Sequence, residues 1–146
     1  MLLKLNNQIV KEVIKDDPVR PHISASWRTR SGREVYGLYA DESFEILRAV
    51  ICVAYTDEVP KSELDMKCGG TDIAVFYTVW SYDKGAGRDI VFAVADYIKL
   101  HNPDVKRWVT LSPLTEMAQR FHIKNGAKFL NRHLECQNFE YDLDTY

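Results

Sequence analysis

The stretch that most limits the fold is Asp72–Tyr82 (DIAVFYTVWSY) together with the residues that follow it. Its β-branched and aromatic residues run almost without interruption, as in a strand buried on both faces. Asp83-Lys84-Gly85-Ala86-Gly87 then makes a glycine-rich turn. From Arg88 to His101, the residues Ile90, Val91, Val94, Tyr97 and Ile98 fall on one apolar stripe, which predicts a helix. Asn102-Pro103 ends it, and Arg107–Leu111 reads as a short strand. Strand, turn, helix and strand over 72–111 form one crossover unit, expected to be right-handed.

The rest of the chain fits around that unit. Residues 3–15 carry Leu5, Ile9, Val10, Val13 and Ile14 at helical spacing, and Asp16-Asp17-Pro18 stops the helix. Ile23–Trp27 alternates and reads as a strand or an extended loop. Glu34–Ala40 and Ile46–Tyr55 read as strands, the second buried on both faces. Thr56 to Thr71 is a polar loop. Leu114–Lys124 reads as a helix that Asn125-Gly126 closes. Ala127–His133 and Gln137–Leu143 are two more strand candidates, with edges that could pair with a second subunit to give a homodimer. Without internal repeat or linker, the 146 residues read as a single α/β domain over 1–146 with a mixed sheet.

Composition narrows the function classes. At 46% apolar and 27% charged residues the chain is ordinary globular material. Its longest apolar runs are too short to span a bilayer, and the N-terminus lacks a secretory h-region. Three widely spaced cysteines (Cys52, Cys68, Cys136) match neither a disulfide framework nor a metal knuckle. The expectation is a cytoplasmic protein with no metal and no membrane partner. The net charge of −2 hides an asymmetry: residues 84–132 hold nine Lys and Arg against four Asp and Glu, while the remainder is acidic. A basic segment in an acidic frame suits an anionic ligand. It has no RNP-like aromatic pattern and no recognition-helix signature, which argues against nucleic acid.

Lys84-Gly85-Ala86-Gly87 is where such a ligand would sit. Glycines clear the approach, the backbone N–H groups point into one concavity, and the start of the following helix adds partial positive charge. Together these favour a phosphate or pyrophosphate, with Lys84 and Arg88 at the rim. No Gly-Lys-Ser/Thr follows, so this is not a P-loop, and no third glycine completes a dinucleotide fingerprint. A plain strand-to-helix turn needing positive φ is the competing reading.

Thr110-Leu111-Ser112-Pro113 places Ser112 at an N-cap, with Pro113 in the first helical turn. His122 lies ten residues on. A straight, continuous helix would separate the two by about 15 Å of rise and roughly 80° of rotation. They are therefore no obvious nucleophile–base pair, though both could touch one ligand. A histidine with an ordinary pKa near ~6.5 exchanges protons near neutrality.

Taken together, the strand 72–82, the turn Tyr82-Asp83-Lys84-Gly85-Ala86-Gly87, the helix 88–101 and Asn125-Gly126-Ala127 resemble the GNAT acyltransferase superfamily. That superfamily binds acyl-CoA with a turn of pattern Arg/Gln-x-x-Gly-x-Gly/Ala. Gly85 and Gly87 match it, and Tyr82 stands where Arg or Gln is usual. Inside the superfamily, the chain resembles the catalytic domain of malonyl-CoA decarboxylases. The likeness rests on Val53-Ala54-Tyr55-Thr56-Asp57-Glu58, Ala74-Val75-Phe76-Tyr77, Thr110-Leu111-Ser112-Pro113, Phe121–Ala127 and Asn138-Phe139-Glu140-Tyr141. The helical domain of those enzymes, and most of the segment between their Ser-Pro and Phe-His motifs, have no counterpart in 146 residues.

The resemblance implies a mostly antiparallel mixed sheet of about six or seven strands flanked by three or four helices. It implies acetyl-CoA or another acyl-CoA as substrate, held by Val79, Trp80, Ser81, Lys84, Gly85, Ala86, Gly87, Arg88, Asp89 and Asn125. It implies His122 as the group that protonates the departing thiolate, as an imidazolium, and Ser112 as the residue that orients substrate or water. Acyl transfer to an amine is the leading expectation. Decarboxylation of malonyl-CoA, with an enolate protonated by His122, is the alternative, and a non-catalytic CoA-binding domain is the third.

Overall fold

The computed structural model describes residues 1–143. Its frame is an eight-stranded sheet built from β1 (Leu2–Lys4), β2 (Arg33–Tyr39), β3 (Leu47–Thr56), β4 (Ile73–Ser81), β5 (Arg107–Thr110), β6 (Ser112–Pro113), β7 (Lys128–Arg132) and β8 (Cys136–Tyr141). The strands run in the order β1-β2-β3-β4-β5-β8, with β6 and β7 also paired to β8. Every pairing is antiparallel except β4 with β5. Helices α1 (Asn7–Val13) and α2 (Ala25–Thr29) lie at the N-terminal side, and α3 (Ala86–His101) and α4 (Glu116–Lys124) follow β4 and β6.

Two apolar layers sandwich the sheet. On one face α3 buries Ile90, Val91, Val94, Ala95 and Ile98 against Tyr36, Ile51, Val53, Phe76 and Trp108. On the other, Val10 of α1 and Ala25 of α2 share a core with Val50, Cys52, Val75, Tyr77, Trp80 and Leu111. Alternation along β3 and β4 feeds both layers, so these central strands are buried throughout most of their length.

Two short strands carry the difference from the sequence-based expectation. The apolar stretch at the N-terminus is not one helix from residue 3. Leu2–Lys4 pairs with Leu38–Tyr36, because an edge of β2 is open there, and the Met1 amino group reaches Tyr39 O at 2.9 Å. Asn6 then starts α1 by accepting a hydrogen bond from Ile9 N at 3.0 Å. Likewise Ser112-Pro113 does not begin α4. These residues pair with Gln137-Cys136, and the N-cap is Thr115, whose side chain accepts from Ala118 N at 3.2 Å. Ile23–Trp27 is also corrected: Ser24 caps a one-turn helix by accepting from Trp27 N.

A buried polar cluster joins the segment after α1, helix α2 and the middle of β4. Arg28 and Asp17, both with fully buried side chains, form an ion pair at 2.8 Å. The other Asp17 oxygen accepts from Val19 N, Arg20 N and Thr78 Oγ1 at 2.8–3.0 Å. Arg28 also donates to the Ile23 and Arg20 carbonyls. Burial works to raise the Asp17 pKa, but the amides of Arg20 and Val19 and the Arg28 guanidinium outweigh it, and the carboxyl titrates below its ordinary value. Arg20, held in this cluster, donates to the Tyr77 carbonyl.

Removing one partner of a buried pair strands the other's charge. The substitution Arg28→Met should therefore destabilise the fold by about 3–5 kcal/mol in urea unfolding. A loss of under ~1 kcal/mol would mean that water reaches Asp17.

Candidate active site

The site begins at a defect in the sheet. Cys52 pairs with Thr78 but Val53 pairs with Phe76, so Tyr77 is an extra residue, a β-bulge in β4. On the other side, β4 and β5 stay in parallel register only from Ile73/Arg107 to Phe76/Thr110. The last link is Leu111 N to Phe76 O at 3.2 Å. Beyond it the Tyr77 carbonyl is taken by Arg20, while Ser112-Pro113 leaves to pair with β8. The two parallel strands diverge, and a cleft of about 850 Å³ opens between them.

The backbone of β4 past the bulge faces this cleft at alternate residues. Tyr82 N donates to Arg48 O at 2.8 Å across the β3 side. Strand alternation then turns the N–H and C=O of Trp80 toward β3 and those of Val79 and Ser81 toward the cleft. Of the three strand residues expected to meet an acyl-CoA, Val79 and Ser81 offer backbone groups there. Trp80 instead contributes its side chain to the lining.

The glycine turn lies beside the site and not in its wall: none of the expected residues Lys84, Gly85, Ala86, Gly87, Arg88 and Asp89 lines the cleft, but Gly87 adjoins Phe121 and Ser81, which do. Gly85 adopts φ +82°, a left-handed conformation that a Cβ would strain, and starts α3 without a side-chain cap. Ala86 N donates to Asp83 O, and Asp89 N to Gly85 O. Among the described residues the N–H groups of Gly87 and Arg88 have no such acceptor, which leaves them for an anion. Gly87 has a second reason to be glycine: a Cβ there would lie 3.2 Å from the Phe121 ring. Of the residues expected at the turn, Lys84 and Arg88 supply positive charge. Asp89 is committed elsewhere, since Arg48 pairs with Asp83 at 2.9 Å and with Asp89 at 3.5 Å. That pairing offsets the two acids nearest the turn.

Ser112 and His122 both line the cleft and are both buried. The ten-residue separation does not keep them on different surfaces, because no continuous helix connects them. Strand β8 anchors each. Phe139 N donates to Thr110 Oγ1 at 3.0 Å, and Thr110 Oγ1 lies 2.8 Å from Ser112 Oγ. Tyr141 OH lies 2.8 Å from His122 Nδ1, and the His122 ring stacks on Phe139 at 5.4 Å. At the end of α4, Ala127 N bonds His122 O and Gly126 N bonds Ile123 O, with Gly126 at φ +99°. This double closure fixes the His122 backbone. Asn125, at the C-cap, has a buried side-chain nitrogen with no hydrogen-bond partner among the described residues, and it does not line the cleft.

Burial pushes the His122 pKa down to about 4. At neutral pH the ring is uncharged, which corrects the expectation of an imidazolium. If Tyr141 donates to Nδ1, the ring carries its proton on Nε2 and is a hydrogen-bond donor there.

Sequence reasoning missed the N-terminal contribution to the cleft: Asp16, Pro18 and Val19 line it, as do Met117 and Phe121 of α4. Asp16-Asp17-Pro18 reads only as a helix stop. It also missed Tyr141 as the partner of His122, although Asn138-Phe139-Glu140-Tyr141 marked the segment.

No family model matches the chain, and no curated protein matches it. Solved structures do. A malonyl-CoA decarboxylase from Agrobacterium vitis superposes with a TM-score of 0.67 at 18% identity, over 83% of this chain and 35% of that one. A Bacillus subtilis acetyltransferase in complex with CoA gives 0.61 at 12% identity, over 98% and 97%. The fold is that of the GNAT acyltransferases. Arabidopsis thaliana NAA60, in complex with a bisubstrate analogue, gives 0.65 at 10% identity, with 97% of each chain covered. The chain thus spans about a third of the decarboxylase and nearly the whole of the two GNAT structures. Among the described residues, no helix is long and apolar enough to cross a membrane.

A neutral buried histidine makes stability depend on pH. Between the ordinary pKa and about 4 the unfolded chain binds a proton that the folded chain refuses, so stability falls as the pH is lowered through this window. The loss reaches about 3 kcal/mol at pH 4. The substitution His122→Gln should remove that part of the acid sensitivity, measured as the difference between urea unfolding curves at pH 7 and pH 4.5. Equal pH slopes for the two proteins would show that His122 titrates normally.

Proposed function

We propose that the protein is an acyl-CoA-dependent N-acyltransferase that uses acetyl-CoA. The observation that supports this best is the divergence of β4 from β5. It gives a cleft with the Val79 and Ser81 backbone turned into it, beside a helix start with unused Gly87 and Arg88 N–H groups. CoA needs both: donors for a pyrophosphate at one end and a strand edge along which the pantetheine amides can pair.

In this reading Lys84, Arg88 and the turn hold the phosphates. The Val79 N–H polarises the thioester carbonyl, and its effect grows as negative charge develops on that oxygen. The amine nitrogen attacks the carbonyl carbon. A C–N bond forms, the C–S bond breaks, the nitrogen releases a proton to water, and the CoA thiolate takes one from water. His122, uncharged, stabilises the departing sulfur through a hydrogen bond and does not transfer a proton to it. In this reading Tyr141 donates to His122 Nδ1, which keeps the ring proton on Nε2. Ser112, whose hydroxyl Thr110 fixes, orients the acyl group or a water.

A second reading rests on Ser112 and His122 facing one cleft, each held by β8. In it the carboxylate of malonyl-CoA leaves as carbon dioxide. The same backbone donor then stabilises the enolate, and a proton from solvent reaches its carbon.

Incubation with acetyl-CoA and a primary amine should release free thiol and give the amide. Malonyl-CoA without amine should give no carbon dioxide, and its release would replace the first reading with the second. CoA should raise the melting temperature, as any ligand of the native state does. No rise would end both readings. The substitution His122→Ala should lower turnover by about 10²-fold, the scale for one donor to a developing anion. Its effect should persist at pH 8, because no imidazolium is involved.

A further inference from the structure

The cleft passes through the sheet and has two unlike ends. On the α3–α4 side it meets Val79, Val91, Phe121 and His122, next to the basic glycine turn. Toward α1 and α2 it meets Trp80 and Leu111 of that layer and Pro18 and Val19 of the segment after α1, while Pro113 of β6 and Met117 of α4 complete its lining. Among the described residues no lysine or arginine lines the cleft, and Asp16 is the one carboxylate that does.

Asp16 is held in place. Trp80 Nε1 donates to Tyr82 OH at 3.0 Å, and Tyr82 OH donates to Asp16 Oδ2 at 2.7 Å. Burial, aided by the nearby carboxylate, pushes the Tyr82 pKa up to about 12, so the phenol stays a neutral donor. Tyr82 occupies the position where the superfamily usually has Arg or Gln. A cation there would neutralise Asp16, whereas a phenol orients the carboxylate and leaves its charge intact. One oxygen receives the phenol, and the side chain remains exposed enough to receive a second donor.

We infer that the α1–α2 end of the cleft recognises a primary amine with an apolar body, whose ammonium pairs with Asp16 through the Trp80–Tyr82–Asp16 chain. This rests on the acyl-transfer reading for its chemistry but not for its binding. The body packs on Pro18, Val19, Leu111 and Met117. An anionic amine meets the Asp16 charge, and no lysine or arginine among the described lining residues offsets it. The ammonium loses a proton to water before the nitrogen attacks.

The test is calorimetric binding of 2-phenylethylamine to the full chain, with and without CoA, against 2-phenylethanol and glutamate. The amine should bind about two- to fivefold tighter than the alcohol, the effect of one solvent-exposed ion pair, and glutamate should not bind. The substitution Asp16→Asn should abolish the preference for amine over alcohol while leaving the CoA-induced rise in melting temperature unchanged. Tyr82→Phe, which frees the carboxylate without removing it, should give an intermediate preference. Equal binding of amine and alcohol, binding of glutamate, a preference that survives Asp16→Asn, or no binding of the amine would each overturn the inference. Binding of the amine without acetyl transfer from acetyl-CoA would strike the proposed reaction and leave the recognition standing.

Discussion

The fold depends on where one carbonyl goes. In an uninterrupted sheet the main chain at Tyr77 would continue the ladder. Here Arg20 takes the Tyr77 carbonyl, and Arg20 is itself positioned by the buried Asp17–Arg28 pair. The bulge puts Tyr77 and Thr78 on the α1–α2 side together, where Thr78 donates to Asp17. Bulge, cluster and loop 17–24 therefore stabilise one another, and the divergence of β4 from β5 follows from them. A buried ion pair is an indifferent source of stability. Its value here is geometric, since it keeps the sheet from closing over its own cleft.

Charge is arranged across that cleft in the same economical way. Lys84 and Arg88 stand at the glycine turn, while Arg48 is spent on Asp83 and Asp89. The opposite end holds one oriented carboxylate and no cation among its described lining residues. Between them, Ser112 and His122 sit in a buried and largely uncharged middle, where burial keeps the imidazole neutral. Under the proposed acyl transfer, phosphate, thioester and amine would follow one another along this gradient.

The crossover unit was legible in the sequence because its signals are local. The apolar stripe of α3, the β-branched run of β4 and the two glycines fix their own conformations, and the structure agrees to within a residue or two. What the sequence concealed was set by partners far along the chain. Leu2–Lys4 has helical periodicity with its neighbours yet pairs with β2, since an open strand edge competes for its backbone. Ser112-Pro113 has the composition of a helix start yet pairs with β8. The cleft brings together Asp16, Val79, Ser112 and His122; the resemblance names the last three, and Asp16 has no mark that can be read in advance. The protonation state of His122 was illegible for the same reason: it comes from Phe139, Tyr141 and Phe121 closing around the ring.

Gly87 and Phe121 bring the glycine turn against the α4 wall of the cleft. The ring of Phe121 lies against the first turn of α3 and meets the edge of the neighbouring His122 ring at 5.0 Å between centroids. Under the proposed reading, a group seated on the start of α3 would lie one aromatic side chain away from His122, the residue assigned to the departing sulfur. The handle of the ligand and its reactive end, far apart in the molecule they belong to, would be gauged by the same pair of residues.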